Sequence, residues 1–122
     1  QPPDPGAARA AIQSAFDAYG STVPRAVKEA SIQDGAALYP LFVQAANGSF
    51  AQQVRDVKVR VDEVVFTSAT SATLRYDLLI PNDNWPNRIG NAVFEDRHWK
   101  VARATVCNDL SLAGVTCPAP SR

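Results

Sequence analysis

Residues 57–80 read VKVRVDEVVFTSATSATLRYDLLI, and the phase of their apolar side chains decides the fold. Val57, Val59 and Val61 alternate with Lys58, Arg60 and Asp62. Successive side chains on a strand point to opposite faces, so this is a strand with one wet side. Val64 and Phe66 then fall out of step, and one extra residue near Asp62–Glu63, a β-bulge, restores the phase. Thr67–Ser71 is a small polar turn. Beyond it Ala72, Leu74, Tyr76, Leu78 and Ile80 share one side, against Thr73, Arg75 and Asp77 on the other. Two half-wet strands joined by a short polar turn predict an antiparallel hairpin.

Downstream, Pro81–Asn87 is dense in turn formers and reads as a loop. A third strand is expected from about Ile89 to Phe94, a turn over Glu95–His98, and a fourth strand carrying Trp99 and Val101. Leu110, Leu112 and Ala113 suggest a short closing helix, with Gly114 just past its end. Upstream the period changes. Ala8, Ala11, Ile12, Ala15, Phe16 and Tyr19 follow the three-four spacing of an amphipathic helix, stopped by Gly20. Pro24 opens a second short helix with Val27 and Ile32 as its buried side. Asp34-Gly35 precedes a third, in which Pro40 either kinks the helix or marks its start. Helices first and an antiparallel meander after predict an α+β fold, the helices laid on one face of a curved sheet of about four strands.

The chain has 122 residues, a single-domain length, with 46% hydrophobic and 20% charged residues. Twelve basic and twelve acidic side chains cancel. No field therefore gathers nucleic acid or anionic lipid, and no basic cluster interleaves with aromatics. The longest apolar runs fall far short of the roughly 20 residues that cross a bilayer. Residues 1–6, QPPDPG, read as an extended linker of the kind that follows a signal sequence or membrane anchor. Residues 7–117 form one domain, and 118–122 a tail.

Cys107 and Cys117 are the only cysteines. An even count in a small chain with a spacer-like start favours a disulfide, and an extracytoplasmic home. The spacing is wrong for a redox motif, and two cysteines with one distant histidine, His98, do not close a zinc site. No metal and no cofactor is expected. The bridge would tie the chain end to the domain and stabilise it by roughly 2–3 kcal/mol in the chain-entropy picture.

The DG-led helix, the 57–80 hairpin and the phrase GNAVFEDRHWKVARATVCNDLSLAG (residues 90–114) together resemble exported actinobacterial proteins related to the mycobacterial low-molecular-weight secreted antigen. That resemblance covers most of residues 7–117 and implies an NTF2-like, cystatin-like fold and export. It implies no catalytic motif, and NTF2-like folds host both enzymes and bare binding domains.

Few side chains suggest chemistry. His98 beside a charged turn reads as a surface residue. Glu63 is the best candidate base. Without the bulge it would share the phase of Val57, Val59 and Val61 and point inward, with Tyr19, Tyr39 or Tyr76 donating to a developing oxyanion. With the bulge it lies on the wet face. Trp85, in its polar loop, either tucks onto the sheet or stands out as a binding aromatic, and Tyr76 is a second candidate binding residue. Asn47-Gly48-Ser49 reads as a helix-ending turn. The expectation is a sealed interior without an ionisable group, in a non-catalytic exported or membrane-anchored envelope domain. Such a domain would bind a partner protein or small apolar ligand, and form a homodimer through the outer face of the sheet. The alternative is a small isomerase- or dehydratase-like pocket enzyme using Glu63, which would need a cavity of roughly 300 Å3 or more.

Overall fold

A computed structural model describes residues 2–81 and 84–118. Its elements run α1 (Pro5–Asp17), α2 (Arg25–Ser31), α3 (Gly35–Ala46), α4 (Ala51–Arg55), β1 (Lys58–Ser68), β2 (Ser71–Leu79), β3 (Trp85–Glu95), β4 (His98–Val101) and α5 (Arg103–Ser111). The strands form one antiparallel sheet in the order β1-β2-β3-β4. This is the α+β meander that the hydrophobic phase predicts, with the N-terminal helices and α5 on one face.

The linker reading of residues 1–6 ends earlier than expected, because α1 starts at Pro5. Proline at the first helical position loses no hydrogen bond, and the Asp4 carboxylate accepts from the Ala7 amide at 3.1 Å. Pro40 lies inside α3. Both Pro40 and Ala36, whose carbonyl loses its partner, are exposed, so water can replace the missing donor.

Helix α2 turns a different face inward than the sequence suggests. Val27 is half exposed and Lys28 is buried. The Lys28 ammonium donates to the carbonyls of Ala18 at 2.7 Å and Gly20 at 3.0 Å, just beyond the end of α1, and sits 4.7 Å from the centre of the Phe42 ring. Carbonyls left over at a helix end attract a cation, and the ring adds to it.

The 57–80 hairpin carries its bulge where the phase requires it. Val61 faces Tyr76 and Glu63 faces Arg75, leaving Asp62 as the extra residue. A second irregularity was not visible in the sequence. Tyr76 faces Arg88 and Leu78 faces Trp85, so Pro86 and Asn87 together oppose Asp77. Asn87 adopts a φ of 57°, and its amide donates to the Asp77 carboxylate at 2.9 Å instead of to a ladder carbonyl. Arg60 closes on the same carboxylate at 2.6 Å. The strand therefore continues back to Trp85 through a proline, in a region that reads as loop. The β3–β4 turn places Asp96 and Arg97 at φ values of 52° and 66°, the two left-handed residues of a tight hairpin.

The core lies between sheet and helices, with Ile12, Phe16, Leu74, Tyr76, Val101 and Val106 almost wholly buried. The Phe16 and Tyr76 rings are 4.8 Å apart, a contact worth about 0.5–1.5 kcal/mol beyond the area it buries. Gly90 permits the closest approach of β3 to α5. A Cβ there would lie 2.6 Å from Thr105 Cγ2 and 2.8 Å from the Tyr76 ring.

Both rims of the sheet are partly covered. Ile32 bridges to Val101 on β4, and the Gln33 amide donates to the Val101 carbonyl at 2.9 Å. On β1 the Gln13 side-chain amide donates to Val59 O and accepts from Val61 N, both at 2.9 Å. One side chain thus imitates a neighbouring strand.

Burial pulls the Lys28 amine down from 10.5 to about 8. Between those values the unfolded chain holds more protons than the folded one, so unfolding free energy should rise with pH across the window. Urea unfolding at its two ends should show wild type gaining stability, relative to a Lys28→Met variant, as pH rises.

Candidate functional site

Helix α5 begins immediately after β4, well before the Leu110–Ala113 stretch that suggests a helix. It ends in a Schellman turn: Val115 N–H donates to Leu110 O at 3.2 Å and Gly114 N–H to Ser111 O at 3.1 Å. Gly114, at φ 78°, supplies the left-handed residue, and Val115 and Leu110 pack together into the core. The register of α5 sends Val106, Asp109 and Leu110 inward.

Asp109 is therefore a buried acid at the centre of the fold. Its Oδ2 accepts from Tyr19 Oη at 2.6 Å, and Tyr76 Oη reaches both oxygens at 2.7 and 2.8 Å. Arg88 Nε donates to Oδ1 at 2.9 Å. The expectation of an interior free of ionisable groups is overturned. Arg88 shares the inward strand phase of Gly90 and Ala92, and Asp109 the inward helical phase of Val106 and Leu110. Those phases were the available signals.

The electrostatics follow from burial. Desolvation raises the Asp109 carboxyl above its ordinary range, opposed by the two tyrosine hydroxyls and by Arg88. It also raises both tyrosine hydroxyls, with the Asp109 charge adding to the effect. Tyr19 and Tyr76 thus stay protonated and serve as donors. Three donors with one proton each meet the carboxylate, the Tyr76 hydroxyl lying within reach of both oxygens. An acceptor held by three internal donors is committed to the fold rather than presented to a substrate proton.

Beside Asp109 lies a half-open cavity of about 150 Å3. Tyr19, Ala45, Leu78, Val106 and Leu110 form its buried floor, and Phe50, Gln53 and Trp85 stand at its exposed rim. It is about half the size that the pocket-enzyme reading requires.

The candidate residues are not brought together. Glu63 is exposed on the outer face, 3.9 Å from Arg75, because the bulge at Asp62 turns it away from the cavity; the general-base reading is corrected on that ground. Tyr39 lies on the outside of α3 under the Arg25 guanidinium, 4.5 Å away, and has no part in an oxyanion site. His98 is exposed. Tyr76 is buried, its hydroxyl spent on Asp109 rather than offered to a ligand. Trp85 is 38% exposed and lines the cavity while pairing with Leu78, so it both joins the sheet and shapes the rim. Asn82 and Asp83 of its loop lie outside the described residues, as does most of the 118–122 tail.

Cys107 and Cys117 are bonded, and the loop they close carries Asp109, Leu110, Leu112 and Ala113 of the cavity wall. Among the described residues no group of three or more histidine, cysteine or acidic side chains is placed to hold a metal, and no helix is long and apolar enough to cross a membrane.

Comparison with known proteins adds the family. A family model described as the low molecular weight antigen MTB12, C-terminal domain, matches residues 1–117. The chain belongs to this antigen family. No curated protein gives a significant match. The core and turn residues that carry the resemblance, from Ala92 to Gly114, are those that build β3, β4 and α5 around Asp109.

Replacing Asp109 by Ala would leave Arg88 without its partner and two buried hydroxyls without an acceptor. The expected cost is about 3–5 kcal/mol. Tyr19→Phe removes one donor and should cost about 1.5–3 kcal/mol. Urea unfolding of both variants checks the order.

Proposed function

We propose that this chain is a non-catalytic, exported or envelope-anchored domain of NTF2-like type that holds a small apolar ligand in the cavity beside Asp109. One observation carries the reading. The cavity is walled almost entirely by apolar side chains, and the one buried acid among its described residues is already held by three internal donors. Apolar cavities of this volume are large enough to take benzene. Membership of an antigen family and the Cys107–Cys117 bridge support an extracytoplasmic location. The helices laid over one face of the curved meander support the NTF2-like assignment.

Toluene serves as the test ligand. Its addition should raise the thermal midpoint in a saturable way, by an amount equivalent to about 2.7 kcal/mol at a hundredfold excess over Kd. Ala113→Phe, at a half-buried wall position, should fill the space and abolish the shift. Toluene producing no saturable shift in the wild type would overturn the ligand reading.

A partner surface is favoured by a separate observation. The outer face of the sheet leaves Ile89 66% and Val65 55% exposed, beside the Glu63–Arg75 pair. We propose a homodimer through this face. Sedimentation should show a two-chain species that Ile89→Lys converts to one chain.

A further inference from the structure

The chemistry of the cavity wall restricts what can enter it. Among the described residues no lysine, arginine or histidine lines the cavity, and Asp109 is the one charged residue in its wall. The cation that pairs with Asp109, Arg88, reaches it from β3 and is not part of the wall. Tyr19 does line the wall, but its hydroxyl proton is committed to Asp109 at 2.6 Å. The remaining side-chain donors are the Gln53 amide and the Trp85 indole, both neutral and both at the exposed rim.

We infer that the site selects uncharged ligands: one ring or a short branched chain sits on the floor, with any polar group neutral and confined to the Gln53–Trp85 rim. This deepens the ligand-binding reading and rests on it. An acid drawn inside would lose its hydration, find no cation and face the Asp109 carboxylate. A buried charge without a partner is among the costliest arrangements in a protein. An ammonium fares little better, because the Asp109 charge is already balanced by Arg88 and both its oxygens already accept from internal donors. The site is therefore unsuited to free fatty acids and other carboxylates, and suited to hydrocarbons and alcohols of single-ring size.

Four ligands of one shape and different charge test the inference on the oxidised full chain at neutral pH: toluene, benzyl alcohol, benzoate and benzylammonium. Affinities come from thermal shift, confirmed by calorimetry. Toluene and benzyl alcohol should bind, and each ion should bind at least about tenfold more weakly than its neutral counterpart. Gln53→Lys places a cation at an exposed rim position and should narrow the toluene-to-benzoate ratio by about tenfold. Equal binding of benzoate and toluene to the wild type overturns the charge selection while leaving the pocket reading intact. A ratio that Gln53→Lys leaves unmoved also overturns it. If toluene itself fails to bind, both readings fall.

Discussion

A single carboxylate in the interior joins four parts of the chain. Asp109 on α5 is held by Tyr19 at the end of α1, by Tyr76 on β2 and by Arg88 on β3. An acid in that position is tolerable because both oxygens are met by donors, one of them a cation, since low surrounding polarity magnifies both a satisfied contact and an orphaned one. The network therefore fixes α5 in rotation as well as position. Half a turn of slip would carry Asp109 out to solvent with Val106 and Leu110 and leave Arg88 and the Tyr19 and Tyr76 hydroxyls without their partner. The closeness of Gly90 to Thr105 reinforces the same docking, because any side chain on that glycine would push helix and sheet apart.

The character of the site follows from this arrangement. Many pocket enzymes pair a buried acid with tyrosines, and the inventory of residues here has that appearance. The geometry does not use them in that way. The donors point at the acid instead of converging on empty space, and both of its oxygens are engaged. What is left for a ligand is an apolar recess whose polar wall is already occupied with internal business. The disulfide acts on the same region. By closing residues 107–117 it pins the stretch that supplies both the acid and part of the recess.

Much of the architecture was legible in the sequence because it rests on periodicity. The valine alternation of β1, its single break at Asp62 and the inward row from Ala72 to Leu78 together specify hairpin, bulge and wet face, and with them the outward direction of Glu63. Helix α1 was equally plain. Three features were not, each because a polar side chain does work that periodicity assigns to apolar ones. Lys28 is buried since two carbonyls past α1 need a donor. Trp85 and Pro86 belong to a strand since the Asp77 carboxylate stands in for the ladder at Asn87. Asp109 is internal since three donors from distant positions meet it, and no local pattern reports partners 90, 33 and 21 residues away.

The covered rims of the sheet bear on how the protein behaves when crowded. An open β-edge is a template on which further chains can add without limit. Here the Gln13 amide occupies the Val59–Val61 stretch of one edge, and the Ile32–Gln33 segment occupies the other at Val101. Held at both rims in this way, the sheet offers an incoming strand fewer free backbone groups than an open edge would.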